Sequence, residues 1–268
     1  MKKFLQSLLT CAALAPTAGL AQSYENAATV DVLPGWIAAD GTHMAALRVT
    51  LSDGWKTYWR APGDAGIPPA FDWSGSKNLK AVQISWPTPT VFEQNGLRSI
   101  GYAKELVLPI KISPQQKGKT ITLAGNVDIG VCKDICIPFS STFAAELPTG
   151  TTKRSPQIIA ALADRPYTQT EAKVGRVTCG FGPSQDGLTL KATIAMPSAG
   201  GREFAVIETG NPQLWVAEAK TQRKSGNLHV TTEIAHFEGK AISLNRRDIR
   251  ITVLGGKYAV DIKGCDAG

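Results

Sequence analysis

The chain has 268 residues, with 29 Lys and Arg against 22 Asp and Glu and a formal charge of +7 at neutral pH. The basic residues are spread through both halves, mostly singly, without the clustered face that nucleic-acid binding usually needs, so that function is set aside. No run beyond the extreme N-terminus approaches the roughly 20 apolar residues that span a bilayer, so no transmembrane segment is expected in the mature chain.

Read from its start, the chain opens on an export signal. Lys2 and Lys3 form a basic region, Phe4 to Leu20 is mostly apolar or small, and Gly19-Leu20-Ala21 reads as a cleavage site, with processing expected after Ala21. A lipoprotein signal ending at Cys11 is the competing reading, disfavoured by Thr10 and by the short apolar run before it. Loss of Lys2 and Lys3 lowers the charge from +7 to +5 and leaves about 247 residues, enough for two domains of roughly 100 to 130 residues each.

From Ala27 to Leu147, β-prone runs (45–51, 81–86, 106–112, 120–129 and 142–147) are separated by Gly, Pro and Asn, the rhythm of a β-sandwich. Leu106, Leu108, Ile110 and Ile112 alternate with Val107, Pro109 and Lys111, so one face of that strand is apolar. Thr149 to Lys173 is polar instead. Ser155 is a candidate N-cap, Pro156 suits the first helical position, and Pro166 forbids a helix past Arg165. The segment reads as a connector carrying one short helix.

A second strand series follows over 187–196, 203–208, 213–219, 227–234, 249–254 and 258–262, with Asp186-Gly187 and Gly255-Gly256 marking turns. The expected architecture is all-β, with two sandwich domains: a signal over 1–21, the first domain over 22–150, a connector over 151–172 and the second domain over 173–268.

Four cysteines survive processing, and their sequence proximity pairs Cys132 with Cys136 and Cys179 with Cys265. Between Cys132 and Cys136 an extended chain would span about 13 Å, beyond the roughly 4.4 to 6.8 Å that a disulfide allows. The segment must therefore turn, aided by Asp134, with Pro138 at the exit. So small a ring constrains the unfolded chain weakly, which tilts the pair toward redox work. Spacing alone leaves a structural bridge open, and a thiolate metal pair as well. Cys179 and Cys265 enclose 85 residues and read as a structural staple, worth on the order of 4 kcal/mol through loop-closure entropy.

Little else invites chemistry. His43, His229 and His236 form no metal-site or dyad spacing, and neither a nucleotide-cradling Gly-rich loop nor a nucleophile elbow occurs, so no cofactor and no metal is expected. Trp55, Trp59, Trp73 and Trp86, four of the six tryptophans, fall within 32 residues together with Tyr58 and Phe71. Such density builds a core, or a wall around the cysteine pair.

Several of these segments together resemble a known family. They are Gly54-Trp55-Lys56-Thr57-Tyr58-Trp59-Arg60-Ala61-Pro62-Gly63-Asp64, Phe71 to Ser76, Trp86-Pro87, Tyr102, Leu108-Pro109 and Val131-Cys132-Lys133-Asp134-Ile135-Cys136-Ile137-Pro138. They are similar to the periplasmic N-terminal region of the DsbD and ScsB thiol-disulfide reductases. Leu244 to Leu254 and Gly264-Cys265 extend the likeness to the second exported segment of ScsB-type proteins.

The resemblance implies immunoglobulin-like sandwiches and a periplasmic protein-disulfide reductase component. Electrons would come from membrane-embedded and thioredoxin-like reductase proteins and pass to oxidised periplasmic thioredoxin-fold proteins. By the same resemblance Cys136 is the exchanging thiol and Cys132 its resolving mate. DsbD-type members cover the cysteines with a loop bearing a phenylalanine. The matching stretch here is Glu93-Gln94-Asn95-Gly96-Leu97-Arg98, which makes Leu97, with Tyr58 and Trp59, the candidate shield. The family's membrane and thioredoxin-like parts are expected on separate proteins. Copper tolerance, cytochrome c maturation and disulfide repair are the processes such a relay could serve. The competing reading is a non-catalytic module that docks a partner or handles copper, with both disulfides structural.

Overall fold

The computed structural model describes residues 26–63, 66–94 and 96–268; the expected signal, its cleavage site and Cys11 lie outside them. The first half folds into β1 (Ala28–Ile37), β2 (His43–Leu51), β3 (Lys56–Tyr58), β4 (Ala70–Asp72) and β5 (Leu79–Ile84), then β6 (Thr90–Gln94), β7 (Leu97–Ala103), β8 (Glu105–Pro114), β9 (Ile121–Cys132) and β10 (Cys136–Leu147). One sheet runs β1-β2-β8-β5 and the other β10-β9-β3-β7-β6, with β4 also paired to β9. The alternation in β8 sends Leu108, Ile110 and Ile112 inward, where they meet Leu123, Val127 and Val131 from β9 in one buried core.

The helix α1 (Pro156–Ala163) starts where Pro156 suits the first turn; Ser155 precedes it in an extended conformation without a side-chain cap bond. Its Ile158 is fully buried with Trp36 and Ala46 of the first sheet, and the Asp164 carbonyl accepts the Thr88 N–H at 2.6 Å. The polar segment is therefore docked along the first sandwich.

The remaining strands are β11 (Tyr167–Thr168), β12 (Val177–Pro183), β13 (Gly187–Ala195), β14 (Phe204–Glu208) and β15 (Leu214–Val216), followed by β16 (Lys220–Lys224), β17 (Asn227–His236), β18 (Arg250–Leu254), β19 (Ala259–Lys263) and β20 (Asp266–Ala267). They form sheets β11-β19-β18-β14 and β15-β17-β13-β12-β20, with β16 on β17. Leu190, Ile194, Leu228, Ile251 and Val253 fill the space between them. Cys179 in β12 is fully buried and bonded to Cys265 just before β20, with a Cα separation of 5.7 Å. At the β18–β19 turn Gly255 is required by crowding, since a Cβ there would lie 2.4 Å from the Ala199 side chain.

The two sandwiches touch. Phe204 and Val206 of β14 pack on the first core, and Leu254 and Ala259 belong to it. Polar contacts border this apolar seam. The Arg60 guanidinium donates to both Glu208 carboxylate oxygens, at 3.0 and 2.9 Å, and to the Thr252 hydroxyl at 3.2 Å.

Candidate redox site

β9 and β10 pair along their whole length, and the last pair before the turn is Cys132 opposite Cys136. Three residues close the turn, with the Lys133 N–H donating to the Ile135 carbonyl at 3.1 Å. The two Cα atoms are 4.1 Å apart and the sulfurs are bonded. Pro138 continues the strand instead of ending it. β10 is an edge strand, where a missing N–H costs the ladder nothing.

The two cysteines differ in access: Cys136 is exposed and Cys132 half-buried. Behind them runs β3, which pairs with both β9 and β7 and sets Lys56 opposite Cys132. The Thr57 hydroxyl, buried, donates to the Gly130 carbonyl at 2.9 Å and locks β3 to β9. Next along the strand, Tyr58 is 3% exposed, and its hydroxyl lies 3.1 Å from the Cys136 sulfur. Burial raises the Tyr58 phenol above its ordinary value, so it stays protonated and able to donate. Gly130 makes room for this ring. A Cβ there would sit 2.7 Å from Tyr58 Cδ2 and 2.8 Å from Ile67 Cβ.

A groove of about 160 Å³ runs beside the pair, lined by Lys56, Thr57, Tyr58, Phe92, Leu97, Arg98, Ser99, Cys132, Lys133, Asp134 and Cys136. Lys56 and Lys133 border it opposite the Asp134 carboxylate, and the third cation, Arg98, is paired with Glu218 at 2.6 Å. The Lys56 ammonium lies 4.9 Å from the centre of the Phe92 ring. Leu97 in the groove lining is 61% exposed, Ile135 between the lining residues Asp134 and Cys136 is 49% exposed, and Ile67, beside Gly130, is 39% exposed.

Of the residues singled out from sequence, Cys132, Cys136, Leu97 and Tyr58 meet at this groove. Trp59 does not. It is fully buried in the core, with the Arg60 guanidinium 3.9 Å from its ring centre. The other aromatics of the block are also core: Phe71 stacks on Trp73 at 5.8 Å, and Trp73 meets Phe143 at 5.2 Å. Lys56 and Arg98 stand in the family-like segments without a role of their own, and Phe92 and Gly130 lie outside the candidates the sequence offers. Arg98 closes the stretch matched to the covering loop and Phe92 immediately precedes it, so widening that stretch by one residue includes the phenylalanine. Among the described residues no cluster of His, Cys, Asp or Glu could hold a metal ion, and no helix is long and apolar enough to cross a membrane.

Residues 26–148 match the family model described as "Thiol:disulfide interchange protein DsbD, N-terminal". The crystal structure of the N-terminal periplasmic domain of ScsB from Proteus mirabilis is similar in fold, with a TM-score of 0.66, over 90% of this chain and 92% of that one, at 22% sequence identity. No curated protein matches the chain.

Proposed function

We propose, on the premise that residues 26–148 form a domain of the DsbD N-terminal family, that the chain is a periplasmic thiol-disulfide interchange module. Cys132 and Cys136 are its working pair. The observation that carries this reading is the asymmetry at the hairpin tip. Cys136 is exposed with a phenol hydroxyl 3.1 Å from its sulfur, while Cys132 sits half-buried beside it, within bonding reach.

In the reduced pair the Cys136 thiolate attacks one sulfur of a partner's disulfide. The partner's other sulfur leaves as a thiolate and a mixed disulfide forms. Cys132 then attacks the Cys136 sulfur, restoring the intramolecular bond and releasing the partner as a dithiol. Two electrons have passed to the partner, and an incoming dithiol from a membrane-embedded or thioredoxin-like reductase restores the pair by the reverse steps. The Tyr58 hydroxyl stabilises Cys136 as a thiolate both when it attacks and when it leaves. Ile67, Leu97 and Ile135 offer an apolar rim on which an oxidised thioredoxin-fold partner docks, and Leu97 also shields the pair between encounters. Cys179–Cys265 serves as the staple of the second sandwich.

The test is capture in the periplasm. Cys132→Ser removes the resolving thiol, so Cys136 should accumulate as mixed disulfides with thioredoxin-fold proteins, and these should disappear in the Cys132→Ser/Cys136→Ser chain. Absence of reducible adducts, or adducts that persist without Cys136, would count against the reading and leave a non-catalytic docking module.

A further inference from the structure

The β6–β7 hairpin forms one wall of the cysteine groove through Phe92, Leu97 and Arg98, and the second sandwich grips this same hairpin. Arg98 Nη1 lies 2.6 Å from the Glu218 carboxylate, and the guanidinium stands 4.3 Å from the centre of the Phe204 ring. Glu93, across the hairpin from Arg98, is 3.0 Å from Arg202, whose guanidinium lies 4.8 Å from the same Phe204 ring. Two strands of the redox wall thus end in partners supplied by the other domain. The Arg98 side chain is only 16% exposed, but Glu218 at 42%, Glu93 at 52% and Arg202 at 67% leave these pairs open to salt. Phe204 in turn packs against the first core, which fixes the gripping residues relative to the groove.

We propose that the second sandwich is a clamp on the groove wall, with Arg98 as a positioning residue and Glu218 and Phe204 as its anchors, so that domain contact sets how accessible Cys136 is. The proposal rests on the redox reading above, in which Cys136 is the thiol that partners must reach. It gives the second domain a part in exchange although that domain contributes no residue to the sulfur chemistry. Thiol partners bind better when the wall yields, and stray small-molecule thiols and disulfides react more slowly while it holds.

The experiment measures alkylation of Cys136 by iodoacetamide in a Cys132→Ser background with Cys179–Cys265 left oxidised. The rate is followed against pH up to its plateau, where the thiol is fully ionised. Reading the plateau separates access from any change in thiol acidity that freeing the Arg98 cation would cause. Glu218→Ala and Arg98→Ala should each raise the plateau by a few-fold to about tenfold, the range in which paired neighbours couple, and the double variant should add little to either. An unchanged plateau in both single variants, or a fully additive double variant, would overturn the clamp.

Should the variants lose their fold, the unsubstituted pair decides. The plateau should rise between 0.05 M and 1 M KCl, because salt weakens the ion pairs while the reagent is neutral, and a flat profile would overturn the proposal. Alkylation needs no redox partner, so the clamp can stand even if exchange with thioredoxin-fold proteins is not found. Equally, exchange can stand if the plateau does not move.

Discussion

Replacing Tyr58 by Phe removes one oxygen, and the role proposed for that oxygen sets the expected effect. The hydroxyl lies 3.1 Å from the Cys136 sulfur on a ring that is 3% exposed. A hydrogen bond to a charged acceptor contributes about 1.5 to 3 kcal/mol, and one pKa unit corresponds to about 1.4 kcal/mol. Cys136 itself is exposed, so water would replace part of the lost bond and the lower end of the range applies. The Cys136 thiol of Tyr58→Phe should therefore titrate about one unit higher.

The kinetic consequence has a recognisable form. Below the thiol pKa the thiolate fraction falls about tenfold, while the more basic thiolate is intrinsically about threefold more nucleophilic, leaving a net loss of about threefold. Above both pKa values only the nucleophilicity gain remains, so the variant should then react about threefold faster than the parent. Exchange of the reduced chain with hydroxyethyl disulfide, followed by stopped flow from pH 5 to 10, should give two profiles that cross. Superimposable profiles would show that the hydroxyl does not act on the thiolate, and the electrostatic reasoning for this site would fail.

Gly130→Ala should give the same displaced titration, because its Cβ would land 2.7 Å from the Tyr58 ring; overpacking should also lower stability by about 1 to 3 kcal/mol, read by denaturant unfolding. Removing the 86-residue link with Cys179→Ala/Cys265→Ala should cost on the order of 4 kcal/mol, whereas Cys132→Ala/Cys136→Ala should cost about 2 kcal/mol or less, since a short ring restrains the unfolded chain less. His43 is 2% exposed, and burial holds its imidazole below the ordinary value, against the raising effect of the bond its Nε2–H donates to the Pro34 carbonyl. Its depressed folded-state pKa means that the unfolded chain takes up the proton first. Stability is therefore full above about pH 6.5 and falls below it by up to about 1.4 kcal/mol per pH unit until the folded form also protonates. His43→Gln should remove this slope between pH 7 and 5.5, and equal slopes in parent and variant would contradict the assignment.

The strands that the sequence displayed best are those with one wet and one dry face. Leu188 to Met196 alternates because it lies between a core and a surface, whereas the outer face of Leu106 to Ile112 is partly covered, with Val107 packed in the cluster around Ile158 of α1 and Pro109 buried. The short β3 gave no such sign: three residues are too few for a period, and its place between β9 and β7 comes from contacts distant in the chain. β10 was expected only from Thr142 because Pro138 suggested an exit. Its edge position lets the proline stay in the strand, directly opposite Gly130.

Glycines at 180 and 182 and Pro183 similarly hid β12, which is held by β13 on one side and the C-terminal β20 on the other. At the site, the cysteines and Tyr58 were legible from a local motif. Arg98 and Arg60 were not, since nothing near them in sequence announces that Glu218 and Glu208 will meet them. Aromatic neighbours in sequence suggest Trp59 as a shield. Its alternation with Tyr58 along the chain directs it to the core instead.

If Cys132–Cys136 is a switch and Cys179–Cys265 a staple, one redox titration tells them apart. The chain is equilibrated against graded dithiol/disulfide buffers, each thiol pair is tagged, and the two midpoints are read by mass spectrometry. The midpoint should lie above about −300 mV for Cys132–Cys136 and below about −300 mV for Cys179–Cys265. A Cys132–Cys136 midpoint as low as that of the buried bridge would contradict the switch.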